Sequence, residues 1–221
     1  MNAPTDLERA RFNMIEQQIR PWDVLDLQIL DLLSHVRRED FVPLAHKALA
    51  FVDMQVPLPG GSRMLEPKVE ARMLQDLKLL AHEKVLEVGT GSGYMAALLS
   101  HRAQRVISLE IKPELAKFAR ENLQRAGITN VDVREADGSN GLASESPFDA
   151  IVLSGSVAEV PASILSQLKV GGRLAAITGC EPIMRFTLIT RTGETTYTTA
   201  QPWDNNAPRL ANFPEPSKFT F

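Results

Sequence analysis

The run Glu87-Val-Gly-Thr-Gly-Ser-Gly-Tyr94 places glycine at every second position, at Gly89, Gly91 and Gly93. Glycines so spaced let a tight turn bring backbone N–H groups close to a ligand. The run follows Lys84–Val88, a short apolar segment that reads as a strand. In an open parallel sheet, ligands settle just beyond the C-terminal strand ends, so this position suits a nucleoside. A dinucleotide fingerprint would read Gly-x-Gly-x-x-Gly. Counted from Gly89, its third glycine falls on Tyr94, whose ring would spoil the close helix–strand packing that glycine permits. The bland alternative for this motif taken alone is a glycine turn with no ligand.

Two carboxylates weigh against that alternative. Glu110 closes the next apolar segment, Arg105–Glu110. A carboxylate at that strand end can accept hydrogen bonds from both ribose hydroxyls. Asp137-Gly138 stands at the end of a third segment, Val131–Asp137. Alone, Asp-Gly would be only a turn. A fourth strand is expected over Asp149–Leu153, and Ser154 follows it.

These positions need a scaffold, and the pattern supplies one. From residue 83 to 180, strands and helices alternate, with helices expected at 94–102, 113–126 and 161–168 and a fifth strand at 173–178. Such alternation implies a parallel sheet covered on both faces. Arg185–Thr190 and Thr195–Thr199 flank Gly193 and read as an antiparallel hairpin finishing the sheet edge. Pro202, Pro208, Pro214 and Pro216 mark an irregular tail. The first 80 residues read mostly as helix. Thr5 and Glu8 form a capping-box pair, Pro21 ends or kinks the first helix, Asp23 caps a second, and Pro67 opens a third that runs to Leu80. The expected division is an N-terminal helical cap and substrate region, 1–80, and a nucleoside-binding domain, 81–221, forming one compact unit.

The 221 residues are 44% hydrophobic and 23% charged, with net charge −3. No basic footprint points to nucleic acid as a partner. A single cysteine, Cys180, cannot form an internal disulfide, and it reads as a small buried residue at a strand end. The four histidines are scattered singly, so no metal site is expected. The N-terminus lacks a signal pattern and no apolar run approaches membrane-spanning length, which makes the cytoplasm the default.

The alternate-glycine run resembles motif I of class I S-adenosylmethionine (SAM) methyltransferases. More specifically, Met14-Ile-Glu-Gln-Gln-Ile19, Val36-Arg-Arg-Glu-Asp-Phe-Val-Pro43, Ala50-Phe-Val-Asp53, Pro57-Leu-Pro-Gly-Gly61 and Gly155-Ser-Val-Ala-Glu-Val-Pro161 resemble the protein-L-isoaspartate O-methyltransferase family over about residues 7–180. The resemblance implies a Rossmann-like α/β fold with a mostly parallel seven-stranded sheet. It also implies SAM as cofactor, released as S-adenosyl-L-homocysteine. The cofactor would lie against Glu87, Gly89, Thr90, Gly91, Ser92 and Gly93, with Glu110 and Ile111 at the ribose, Asp137 and Gly138 at the adenine, and Ser154 near the methyl group. Glu87 would fix the glycine loop or reach the methionine amino group.

One loop departs from the family pattern. The family reads Thr-Ile-Ser-x-Pro, whose serine helps hold the isoaspartyl carboxylate; aligned on Pro67, this chain reads Arg63-Met-Leu-Glu-Pro67. Leu65 has no donor for a carboxylate. Glu66 adds negative charge beside it, and Lys68 could compensate. The expected activity is carboxyl methylation of damaged aspartyl residues in peptides or proteins. The alternatives are a different small or hydrophobic acceptor near Leu65, or SAM binding without catalysis. A carboxylate acceptor needs no general base, being already ionised at neutral pH. Other acceptors would need one, for which Asp53 and Glu66 are candidates by position.

Overall fold

The computed structural model describes residues 5–215; Pro216, expected in the irregular tail, and residues 1–4, on which the reading of the N-terminus partly rests, lie outside the described residues. Nine strands and six α-helices carry the fold there. At the N-terminal end, α1 (Asp6–Met14) begins with the expected capping box. The Thr5 hydroxyl accepts from the Glu8 N–H, and the Glu8 carboxylate accepts from the Thr5 N–H. The helix continues as a π-helical turn, Ile15–Ile19. Pro21 does not stop it at once. It sits inside a 3-10 turn, Arg20–Trp22, which Asp23 ends with φ 65°. That left-handed conformation removes Asp23 as the cap of α2 (Leu27–His35). Asp26 caps it instead, its carboxylate accepting from the Gln28 N–H at 2.8 Å.

A two-stranded ribbon, β1 (Val56–Pro57) and β2 (Arg63–Met64), encloses the Pro59–Gly61 turn and leads into α3 (Pro67–Leu77). This helix stops before the expected Leu80. Lys78 turns left-handed, and Arg173 donates to the freed carbonyls of Leu77 (2.6 Å) and Lys78 (2.8 Å).

The main sheet follows with β3 (Lys84–Val88), α4 (Tyr94–Ser100), β4 (Arg105–Glu110), α5 (Pro113–Arg125), β5 (Val131–Glu135), β6 (Phe148–Val157), α6 (Ala162–Leu165), β7 (Leu168–Cys180), β8 (Ile183–Arg191) and β9 (Tyr197–Ala200). Its order is β5-β4-β3-β6-β7-β8-β9. The first five strands pair in parallel, and β8 and β9 join antiparallel as the edge hairpin. β6 and β7 are longer than their apolar runs predict, because pairing extends them through Ser and Gly positions.

Strand periodicity separates two apolar layers. Val85, Val106, Val133, Val152 and Ile177 face one side, packing with Met14, Leu33, Val69, Leu74 and Leu98 from the helices. Leu86, Ile107, Ile151, Leu153 and Leu174 face the other, covered by Ile164 of α6 and by Phe213 from the tail. The sheet is thus a mostly parallel, seven-stranded, doubly covered sheet with an N-terminal helical segment on one face. No helix among the described residues is long and apolar enough to cross a membrane, and no cluster of potential metal ligands occurs there.

Candidate active site

A cleft of about 220 Å³ opens at the C-terminal ends of β3, β4 and β5. This is where a parallel sheet places ligands, since the turns there carry free backbone groups. Among the residues singled out from sequence, Gly89, Gly91, Glu110, Ile111, Asp137, Gly138 and Ser154 line it. Three groups not anticipated join them: Arg63 from β2, Lys112 after β4, and Arg209, Leu210 and Phe213 of the tail.

Each wall residue is placed by its strand. Glu110 ends β4 and is 5% exposed. Its carboxylate accepts from the Gly91 N–H at 2.8 Å and from the Lys112 N–H at 3.1 Å. It therefore ties the glycine turn to the next strand while presenting lone pairs to the cleft. Gly89 has φ 92°, and a Cβ there would come within 2.8 Å of Leu210 and 3.5 Å of the Ser154 carbonyl. Only glycine lets the chain pass there without strain. Asp137 is exposed at the rim, and its carboxylate accepts from the Ser139 N–H at 2.9 Å and from the Asn212 amide at 2.8 Å. The backbone bond from Ser139 chiefly holds this carboxyl below its ordinary range. Ser154 lies where β6 takes four steps, Val152 to Ser156, against two on β7, Ala175 to Ile177. Such a bulge re-aims a side chain, and this one turns the Ser154 hydroxyl onto Glu87.

Glu87 itself does not line the cleft. It is fully buried, accepting from Ser108 at 2.6 Å and Ser154 at 2.7 Å. Thr90 completes the chain, its hydroxyl 2.5 Å from Ser108. Burial pushes the Glu87 carboxyl up to about 8. This network braces the glycine turn from beneath. Ser108 carried no sequence signal, being one more residue of an apolar strand. Gly93 is also away from the cleft. With φ 84°, it admits α5, since a Cβ would meet the Ala119 carbonyl at 3.3 Å. Tyr94 is buried under Arg38, whose guanidinium lies 5.1 Å from the ring centroid.

Behind the cleft, a small cavity of about 20 Å³ is lined by Arg63, Leu65, Glu70, Thr90, Ser92 and Met95, and shares Gly89, Gly91 and Ser154 with the cleft. Leu65 is buried, and its carbonyl accepts from Arg38 at 2.6 Å. Arg38 in turn pairs with Glu70, both buried. Glu66 is half-buried and turned to Gln55 at 3.2 Å, its other oxygen having no partner among the described residues. Lys68 points away from the cleft, held by Asp53 at 2.7 Å and lying 4.7 Å from the centre of the Trp22 ring. Asp53 is engaged in that pair. Cys180 is exposed rather than buried, because β7 carries it past the covered sheet to the tail, near Arg209.

The tail crosses the strand ends. Ser156 donates its N–H to the Pro208 carbonyl at 2.7 Å and accepts from the Leu210 N–H at 2.9 Å. Its hydroxyl donates to the Ala207 carbonyl at 2.8 Å. These bonds lay Leu210 over Gly89 and Gly155.

A family model for protein-L-isoaspartate(D-aspartate) O-methyltransferase (PCMT) matches residues 9–201. A protein-L-isoaspartate O-methyltransferase of Methanoculleus marisnigri is 39% identical over 181 residues, covering 80% of this chain and 82% of that one. A protein-L-isoaspartate O-methyltransferase 2 of Marinobacter nauticus is 40% identical, with 87% and 88% covered. Among solved structures, a Plasmodium falciparum protein bearing the same family name, in complex with S-adenosyl-L-homocysteine, superposes with TM-score 0.78. It covers 94% of this chain and 99% of that chain at 19% identity, a likeness of fold. By the extent of the family match and the identity of these relatives, the chain belongs to the protein-L-isoaspartate(D-aspartate) O-methyltransferase family.

Proposed function

We propose that this protein is a SAM-dependent methyltransferase that esterifies the free carboxylate of isoaspartyl residues in damaged peptides and proteins. The observation that carries this reading is the family match across residues 9–201, joined to a nucleoside-sized cleft at the strand ends. Membership disfavours the sequence alternatives of an unrelated small acceptor or a non-catalytic binder.

The cleft fits the cofactor by its own chemistry. Glycine leaves room at Gly89 that any Cβ would fill. Glu110 offers lone pairs at the height of a ribose, and Asp137 those at the height of an adenine amino group, with Ile111 and Gly138 as the apolar bed. Gly91 and Ser154 border the methionine portion, while Glu87, Thr90, Ser92 and Gly93 support the turn from behind. Bound there, the cofactor supplies a methyl group on a sulfonium sulfur.

In-line displacement forms a carbon–oxygen bond as the carbon–sulfur bond breaks. The carboxylate electron pair makes the new bond, and the sulfur keeps the old pair. No proton moves, so no base is required, consistent with Asp53 being committed to Lys68. The enzyme's work is alignment and exclusion of water. A cytoplasmic setting suits a chain with one cysteine and net charge −3. That charge also disfavours nucleic acid as acceptor.

Radiolabel transfer from SAM to an isoaspartyl peptide, against its normal aspartyl twin, tests the proposal. The expected result is counts on the isoaspartyl peptide alone. Equal background counts on both would refute it.

A further inference from the structure

The acceptor carboxylate needs a partner that Leu65 cannot be. A leucine offers no donor, and here it is buried with only its carbonyl engaged. The other expected cation, Lys68, is paired with Asp53 and stacked on Trp22. Three cationic side chains line the cleft itself: Arg63, Lys112 and Arg209. Lys112 donates to the Gly60 carbonyl at 2.6 Å and to the Ser62 hydroxyl at 2.9 Å. Arg209 pairs with Glu215 at 2.8 Å and donates to the Gly179 carbonyl at 3.0 Å. Among the described residues, the Arg63 guanidinium alone of these has no ion pair and no hydrogen bond.

Its placement follows from the ribbon. β2 pairs Met64 with Val56 and Arg63 with Pro57. Successive strand residues face opposite ways, so burying Met64 in the core turns Arg63 outward. Outward here means the rim shared by the cofactor cleft and the cavity beside Leu65, and Arg63 lines both. Ser154, Gly89 and Gly91 line both as well, which puts Arg63 at the junction where acceptor and cofactor must meet.

We infer that Arg63 is the carboxylate-binding residue of the acceptor site, replacing the hydroxyl that this chain lacks at Leu65. The inference rests on the carboxylate-acceptor reading above. A guanidinium presents a planar fork of donors matched to a carboxylate. Each carboxylate oxygen has two lone pairs, so an oxygen that accepts from the fork keeps a pair with which to attack. Methylation then removes the negative charge, so the neutral ester loses its charge-assisted bond and leaves more readily. The peptide is thereby gripped before transfer and loosened after it.

The cofactor also carries a carboxylate, and the experiment separates the two sources. Arg63→Gln and Arg63→Lys are assayed for transfer to an isoaspartyl peptide, with S-adenosyl-L-homocysteine affinity measured by calorimetry. Arg63 is exposed, so both variants are expected to fold. Arg63→Gln should raise the peptide KM about 10–100-fold, the loss of a charged hydrogen bond, and leave homocysteine-nucleoside affinity within about twofold. Arg63→Lys, keeping charge without the fork, should recover part of the loss. A peptide KM within about threefold of wild type overturns the inference, as does a weakening of calorimetric affinity with peptide KM unchanged, which would assign Arg63 to the cofactor. If the wild type itself does not distinguish the isoaspartyl peptide from its twin, the activity reading fails and takes the inference with it. A selective wild type with an indifferent Arg63→Gln sinks the inference alone.

Discussion

The two walls of the cleft are built by different means. The strand-end wall, Gly89 to Gly91, Glu110 and Asp137–Gly138, consists of turns that leave strands buried on both faces of the sheet. Glu110 and the Glu87–Ser108–Ser154 chain brace those turns from within. The opposite wall, Gly61–Arg63 and Pro208–Phe213, hangs on ties between loops: Lys112 to Gly60 and Ser62, Asn212 to Asp137, and Ser156 to the tail backbone. Its second segment lies beyond the family-matched residues, which end at 201. Under the proposed function, a topology-fixed wall would hold what every turnover shares, and a loop-built wall would be free to suit the acceptor.

Four measurements can break or sharpen that contrast. The largest effect is expected beneath the acceptor loop. Glu70→Ala leaves the buried Arg38 charge unpaired and should cost about 3–5 kcal/mol in chemical denaturation, because Arg38 also holds the Leu65 carbonyl. A loss below about 1 kcal/mol would mean the loop is not anchored there. Next, Glu110→Ala should weaken S-adenosyl-L-homocysteine binding by about 1–3 kcal/mol, and an unchanged calorimetric affinity would remove Glu110 from the ribose.

The third concerns pH. Glu87 titrates near 4.5 when unfolded and near 8 when buried, so folding takes up a proton between those values. Its contribution to stability is present in full below about 4.5 and is lost as pH rises through about 8. Glu87→Gln does not titrate. The wild-type melting temperature should therefore fall relative to the variant from pH 5 to pH 9, at roughly 2–4 °C per kcal/mol. A constant difference would show that Glu87 is ionised throughout. The smallest effect belongs to the tail. Asn212→Ala should change homocysteine-nucleoside affinity by less than about threefold, since Asp137 keeps its bond from Ser139. A larger loss than that of Glu110→Ala would reverse the ranking of the two walls.

The same contrast explains what was legible in the sequence. Strand ends announce themselves through apolar runs, glycines and terminal carboxylates, so Gly89, Glu110 and Asp137 were readable and do line the cleft. Gly93 looked equivalent to its neighbours, yet it serves the packing of α5. Asp23 had the right residue type for a cap, but a left-handed backbone three residues too early. Arg63, Leu210 and Phe213 were invisible as cleft residues because their position depends on loop paths, which no local periodicity encodes. Lys68 reads in the sequence as a cation able to offset Glu66, but its direction is decided by Trp22 and Asp53, neither readable as its partner.

The tail has a consequence for biogenesis. Synthesis runs from the N-terminus, and the glycine turn, Glu110 and Asp137 are all made well before Leu210. A nascent chain that has reached the end of β7 holds every parallel strand, yet its cleft is still missing the lip that Pro208–Phe213 supplies. The pocket is finished only by residues translated after the whole sheet. A premature stop after β9 would thus leave the second wall with Gly61–Arg63 alone and strip Trp203 and Phe213 from the core.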